Sequence, residues 1–131
     1  MLQPNKILVI RFSSLGDLIL TSPIFRELRR IFPGANLNLL TSVGFGDVLD
    51  NNPHLDRIIK HPRKENFEQL NQLIEELQAE AFDLIYDAHR SMRSRWIVSR
   101  LTAFGMKRQP AVWKIDKRTL NRKLLIHLGW N

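Results

Sequence analysis

Four consecutive aliphatic residues, Ile7-Leu8-Val9-Ile10, lead into the polar loop Ser13-Ser14-Leu15-Gly16-Asp17, and the chain then takes on helical spacing. An unbroken apolar run suits a strand covered on both faces, as in a parallel sheet, whereas a strand with one wet face alternates apolar and polar residues. Residues 6–12 are therefore read as a buried first strand. A parallel sheet must return each strand to the same edge through a crossover, usually helical, so the rest of the chain is expected to alternate strand and helix.

It does so. Ile24, Phe25, Leu28, Ile31 and Phe32 recur at helical spacing with Arg26, Glu27, Arg29 and Arg30 on the opposite side, and Pro33-Gly34 ends the segment. Pro23 either kinks this helix or opens a second one with Ser22 as its N-cap. Leu37 to Thr41 is a second strand, Val43 to Leu49 a short helix or turn, and Arg57 to His61 a third strand. Phe67, Leu70, Leu73, Ile74 and Leu77 mark an amphipathic helix ending near Glu80, and Phe82 to Tyr86 a fourth strand. Trp96, Ile97, Leu101 and Phe104 pattern the next helix, Gly105 is placed to end it, and Ala111 to Trp113 form a fifth strand. Residues Thr119 to Leu128 again have helical spacing. The fold class is α/β: one doubly wound, mostly parallel, Rossmann-like sheet with right-handed crossovers.

Charge is unevenly spread. Residues 1–87 hold nine Lys/Arg against twelve Asp/Glu, whereas residues 88–131 hold eleven against the single Asp116, so the net charge of +7 belongs to the last third. Such a block attracts polyanions: phosphorylated lipid, an anionic membrane surface or nucleic acid. No run nears the roughly 20 apolar residues that span a bilayer. The four histidines lack metal-ligand spacing and there is no cysteine, so neither a metal site nor a disulfide framework is expected.

Ligands of open α/β sheets sit outside the carboxyl ends of the strands. Ser13, Ser14, Gly16 and Asp17 lie there after the first strand, Arg63 and Lys64 after the third, and Asp87, His89 and Arg93 after the fourth. Each has a plainer reading too. Ser14 and Asp17 have capping-box spacing, Asp87 can cap the following turn, His89 can be a hydrogen-bonded structural histidine, and Arg63 and Lys64 can be solvated loop charges. Neither a Gly-x-Gly-x-x-Gly fingerprint nor a P-loop occurs.

Taken together, the Ser-Ser-Leu-Gly-Asp loop with Thr21-Ser22-Pro23, then Phe32-Pro33-Gly34-Ala35, Asn52-Pro53-His54-Leu55-Asp56-Arg57-Ile58-Ile59, Phe82-Asp83-Leu84-Ile85-Tyr86-Asp87-Ala88-His89 and Met92-Arg93-Ser94 resemble the ADP-heptose:lipopolysaccharide heptosyltransferases. These are inverting glycosyltransferases of the two-domain GT-B fold. The resemblance implies that residues 1–131 are part of the N-terminal, acceptor-side domain, that the nucleotide-sugar domain lies outside this chain, and that the chain alone is inactive. It implies Asp17 as catalytic base, with Ser13, Ser14, Gly16, Arg63, Lys64, Asp87, His89 and Arg93 shaping the acceptor pocket. It further implies ADP-heptose as donor, a lipopolysaccharide inner-core sugar as acceptor, and no cofactor or metal. The setting it implies is cytoplasmic, with peripheral contact at the inner membrane. Family members carry Asp-x-Gln or Asp-x-His where Asp87-Ala88-His89 stands, and a small residue is commoner at the position of Arg90. A stand-alone Rossmann-like module with a basic tail for nucleic acid or membrane is the alternative reading. Lys107 to Lys123, with Trp113 and Trp130 nearby, is its carrier, and the absence of a nucleic-acid motif weighs against that partner.

Overall fold

A computed structural model describes residues 3–13, 15–62, 64, 66–103 and 109–114. Five strands, β1 (Lys6–Ile10), β2 (Asn36–Ser42), β3 (Arg57–His61), β4 (Leu84–Asp87) and β5 (Ala111–Lys114), form one sheet in the order β3-β2-β1-β4-β5. Every neighbouring pair is parallel. Helices α1 (Leu15–Leu20), α2 (Ser22–Ile31), α3 (Phe67–Glu80) and α4 (Met92–Leu101) fill the connections, and a short 3-10 turn spans Gly46–Leu49.

Strand alternation divides the core into two layers. Ile7, Val9, Leu37, Leu39, Leu84 and Tyr86 point to the side covered by Leu18 of α1 and Ile24, Phe25 and Leu28 of α2. Leu8, Ile10, Leu40 and Ile85 point to the other side, against Leu73, Ile74 and Leu77 of α3 and Ile97 and Leu101 of α4. Because β1 is central and buried on both faces, it needs apolar residues at consecutive positions, which accounts for the run in its sequence.

All five expected strands are present: β3 has the expected bounds, β2 extends by a residue at each end and β5 by one, β4 starts at Leu84 rather than Phe82 and ends at Asp87, and α3 ends at Glu80. β1 ends at Ile10 rather than at residue 12, although Arg11 N still donates to Leu40 O at 3.0 Å. At Pro23 the helix restarts: α2 begins at Ser22 with Thr21 as its cap, while Thr21 N donates back to Asp17 O and Ile24 N to Thr21 O. The join lets the missing N–H of Pro23 fall in a first turn, where it has no intrahelical partner to lose. Asn66 and Gln69 form a capping box that fixes the start of α3. Two residues of the apolar patterns face solvent instead of the core, Phe67 (67% exposed) and Trp96 (40%). The helix read at 119–128 and the cap at Gly105 lie outside the described residues.

Asp56 clamps the entry to β3 by accepting from Leu37 N at 2.7 Å and from Arg29 Nη2 at 2.6 Å. The Leu37 hydrogen bond chiefly, and the Arg29 charge, hold its carboxyl below the ordinary range. The Tyr86 hydroxyl is fully buried and has no hydrogen-bond partner, and burial pushes its pKa up. Removing a buried unsatisfied hydroxyl while keeping the ring is expected to stabilise the fold, so Tyr86→Phe should gain about 1 kcal/mol in urea unfolding. A loss of stability would mean that the hydroxyl is satisfied.

Candidate functional site

The strand order places the site. The chain runs from β1 outward to β2 and β3, then crosses back to lay β4 on the other side of β1, so the connections leaving β1 and β4 diverge from one crevice. Such a switch point is where open α/β sheets bind ligands. The two loops are bonded to each other: Ala88 N donates to Ile10 O at 3.1 Å, and Phe12 N donates to His89 Nδ1 at 3.3 Å.

Arg11 organises the crevice. Its side chain is 9% exposed; Nη1 donates to Ala88 O at 2.8 Å and Nη2 pairs with Asp17 Oδ2 at 2.9 Å. Burial pulls the guanidinium pKa below its ordinary value, and the Asp17 and Asp87 carboxylates partly restore it. A buried guanidinium stays charged and requires an anion, so it fixes the carboxylate it pairs with. Asp17 lies in the first turn of α1 and keeps 42% of its side chain exposed. It is thus tethered from inside and open to solvent. Gly16, expected in the loop, is also in the first turn of α1; it is exposed, and a Cβ added there would meet nothing within 4 Å, so this turn has open space beside it.

The β4 loop is built by Asp87, which is 2% exposed. Its Oδ1 accepts from His89 N at 3.1 Å and Arg90 N at 2.8 Å, and its Oδ2 accepts from Ser94 Oγ at 3.1 Å. Asp87 therefore shapes the loop, with its carboxylate bonded to two backbone amides and a hydroxyl. Arg90 has φ +56°, a region where glycine is at ease, and this is the physical reason a small residue suits the position. Ser91 and Ser94 complete a capping box that starts α4.

His89 and Arg93 do reach the crevice. A backbone N–H can only donate, so His89 Nδ1 must be the acceptor and the neutral ring carries its proton on Nε2. Arg93 lies 3.8 Å above the Phe12 ring and donates from Nη2 to Pro62 O at 3.0 Å, tying the loop after β3 to α4. Ser13 is half-buried in the same loop, and Lys64 is exposed beyond β3. Ser14 and Arg63 lie outside the described residues. The structure thus brings together Ser13, Gly16, Asp17, His89 and Arg93. Sequence reasoning passes over Arg11 and Phe12, though one signal was available: an arginine at the end of a buried strand must find a carboxylate, and Asp17 is six residues on. Among the described residues no group of three His, Asp or Glu forms a metal cluster, and no helix is long and apolar enough to cross a membrane.

Sheet order, parallel pairing and crevice together define a Rossmann-like half of the kind found in GT-B enzymes. The chain is 26% identical to lipopolysaccharide heptosyltransferase 1 of Pseudomonas aeruginosa over 136 aligned residues, which cover 95% of this chain and 38% of that protein. Among solved structures, the glycosyl transferase family 9 protein of Veillonella parvula superposes with a TM-score of 0.80 at 22% identity, covering all of this chain and 43% of that one. Heptosyltransferase WaaC of E. coli, solved with ADP-2-deoxy-2-fluoro heptose, gives 0.68 at 24% identity over 96% of this chain and 41% of that one. No family model matches. The resemblance to heptosyltransferases is therefore shown along nearly the whole chain, which spans well under half the length of these relatives.

The His89 assignment can be checked directly: long-range ¹⁵N–¹H NMR is expected to show the Nε2–H tautomer with Nδ1 unprotonated. A spectrum of the Nδ1–H form would contradict the Phe12–His89 hydrogen bond.

Proposed function

We propose that this chain is the acceptor-side part of an inverting, heptosyltransferase-like glycosyltransferase whose full-length parent transfers heptose from ADP-heptose to an inner-core sugar of lipopolysaccharide. One observation carries the reading: a solvent-facing carboxylate, Asp17, held by a buried arginine at the switch point of a sheet whose similar proteins are heptosyltransferases. Donor recognition belongs in this reading to the part of the parent that the chain does not span.

In the reaction, an acceptor hydroxyl oxygen bonds to the anomeric carbon of heptose from the face opposite the nucleotide. The bond from that carbon to the diphosphate oxygen breaks, and ADP leaves with the electron pair. The hydroxyl becomes acidic only as its oxygen forms the new bond, so a carboxylate of ordinary basicity can take the proton if it is already in place. Arg11 fixes the direction of the Asp17 carboxylate before the acceptor arrives. His89 stands on the β4 side of the crevice, while Gly16 leaves space on the β1 side. Lys64, with Arg63, supplies positive charge for an acidic acceptor sugar.

In the full-length parent, Asp17→Asn keeps the size and polarity of the side chain but removes the base. It is expected to lower kcat for transfer from ADP-heptose by about 10²–10⁴-fold with KM for the acceptor little changed. A fall of less than about tenfold would remove Asp17 from the role of base.

A further inference from the structure

Arg93 stands where a helix least favours it. It is the second residue of α4, in a first turn that carries no acid, so its charge meets the positive end of the helix dipole. Its contacts offset that cost. The guanidinium lies 3.8 Å over the ring of Phe12, which is 2% exposed, and Nη2 donates to Pro62 O at 3.0 Å. Arg93 is itself half-buried. β3 is an edge strand, so the connection that leaves it, residues 62–66, has a neighbouring strand on one side only. Pro62 has no N–H to give to that neighbour, and its carbonyl is the group that Arg93 takes. At its other end the connection is closed by the capping box of Asn66 and Gln69. Lys64 is exposed between these two fixed ends, with Arg63 beside it in sequence.

We infer that Arg93 is a positioning residue for acceptor recognition: its guanidinium, seated on Phe12 and bonded to Pro62, is a strut that sets how far the cationic connection after β3 stands from the Asp17 carboxylate. The inference rests on reading the crevice as a site for an acidic acceptor sugar. Such an acceptor is held at two points, its hydroxyl beside Asp17 and its anionic group against Lys64 and Arg63, so its affinity depends on the spacing between them. Phe12 is a fixed seat for the strut, because it follows Arg11, which holds Asp17, and its own amide is bonded to His89. Arginine suits the task, since a planar guanidinium can lie over a ring and donate within its own plane at the same time. Engaged in this way, Arg93 acts on the acceptor through residues 63 and 64 and not by touching it.

The test measures acceptor kinetics of the full-length parent on an inner-core acceptor with its carboxylate intact and on the same acceptor reduced to the neutral alcohol. Arg93→Met keeps the stem and removes the guanidinium. It is expected to raise KM for the acidic acceptor about tenfold, the scale of one charge-assisted hydrogen bond, and to change KM for the neutral one by less than about twofold. Phe12→Leu, which alters the buried seat of the guanidinium, should shift KM for the acidic acceptor in the same direction. Arg63→Gln with Lys64→Gln should raise that KM by at least as much, and adding Arg93→Met to the pair should raise it no further. In the 131-residue chain, Arg93→Met should lower the ¹⁵N–¹H heteronuclear NOE at Lys64 with circular dichroism unchanged, which separates a loosened connection from a lost fold. Three results would each overturn the inference: an Arg93→Met effect that persists undiminished beside Arg63→Gln and Lys64→Gln, an effect equal on both acceptors, or an unchanged NOE at Lys64. Arg93 would then touch the acceptor or serve the fold alone. If Asp17→Asn still lowers kcat as expected, the strut falls and the proposed function stands; a parent that transfers to neither acceptor removes both.

Discussion

The buried guanidinium of Arg11 is the tie on which the crevice depends. A parallel sheet that reverses its order between β1 and β4 leaves two loops diverging from one edge, and the backbone ladder follows them as far as the bond from Ala88 N to Ile10 O. Arg11 carries the tie further with two bonds, one to the Ala88 carbonyl after β4 and one to the Asp17 carboxylate after β1. Removing a guanidinium from water is costly unless its charge is met, so the pairing supports the fold as well as the crevice. The same carboxylate keeps 42% of its side chain exposed.

Two further ties make the crevice a single unit. Asp87 spends its buried carboxylate on the turn that begins α4, and Phe12 links the two sides, its amide bonded to His89 and its ring under Arg93. Arg93 extends the connection to the loop after β3 through Pro62. Loops from three strands are thereby braced against one another through side chains whose geometry is set by packing, which is the condition for holding a reacting group within a fraction of an ångström.

Much of the fold is legible in the sequence because its signals are local. An unbroken aliphatic strand, helical spacing in α3 and proline-glycine punctuation after α2 each follow from one element's own burial. What is not legible depends on contacts across the sheet. The bonds that Asp87 accepts from Ser94 Oγ and from the amides of His89 and Arg90 depend on how the chain turns into α4, which its place after the fourth strand does not specify. Arg11 reads as a strand residue until Ala88, 77 positions away in sequence, is found against it. Phe67 and Trp96 fit the apolar period of their helices yet lie on the wet side, because periodicity fixes spacing and leaves open which residues at the margin of a stripe the neighbouring layer covers.

The central claim is that the crevice between the β1 and β4 loops receives a sugar hydroxyl beside Asp17. Titration of the ¹⁵N-labelled chain with inner-core oligosaccharide tests it most directly. The account predicts that amide shifts concentrate at Ser13, Gly16, Asp17, His89 and Arg93, with the far edge of the sheet unmoved. Shifts confined to other surfaces, such as the groove between His61 and the Gln69–Glu76 side of α3, would contradict it.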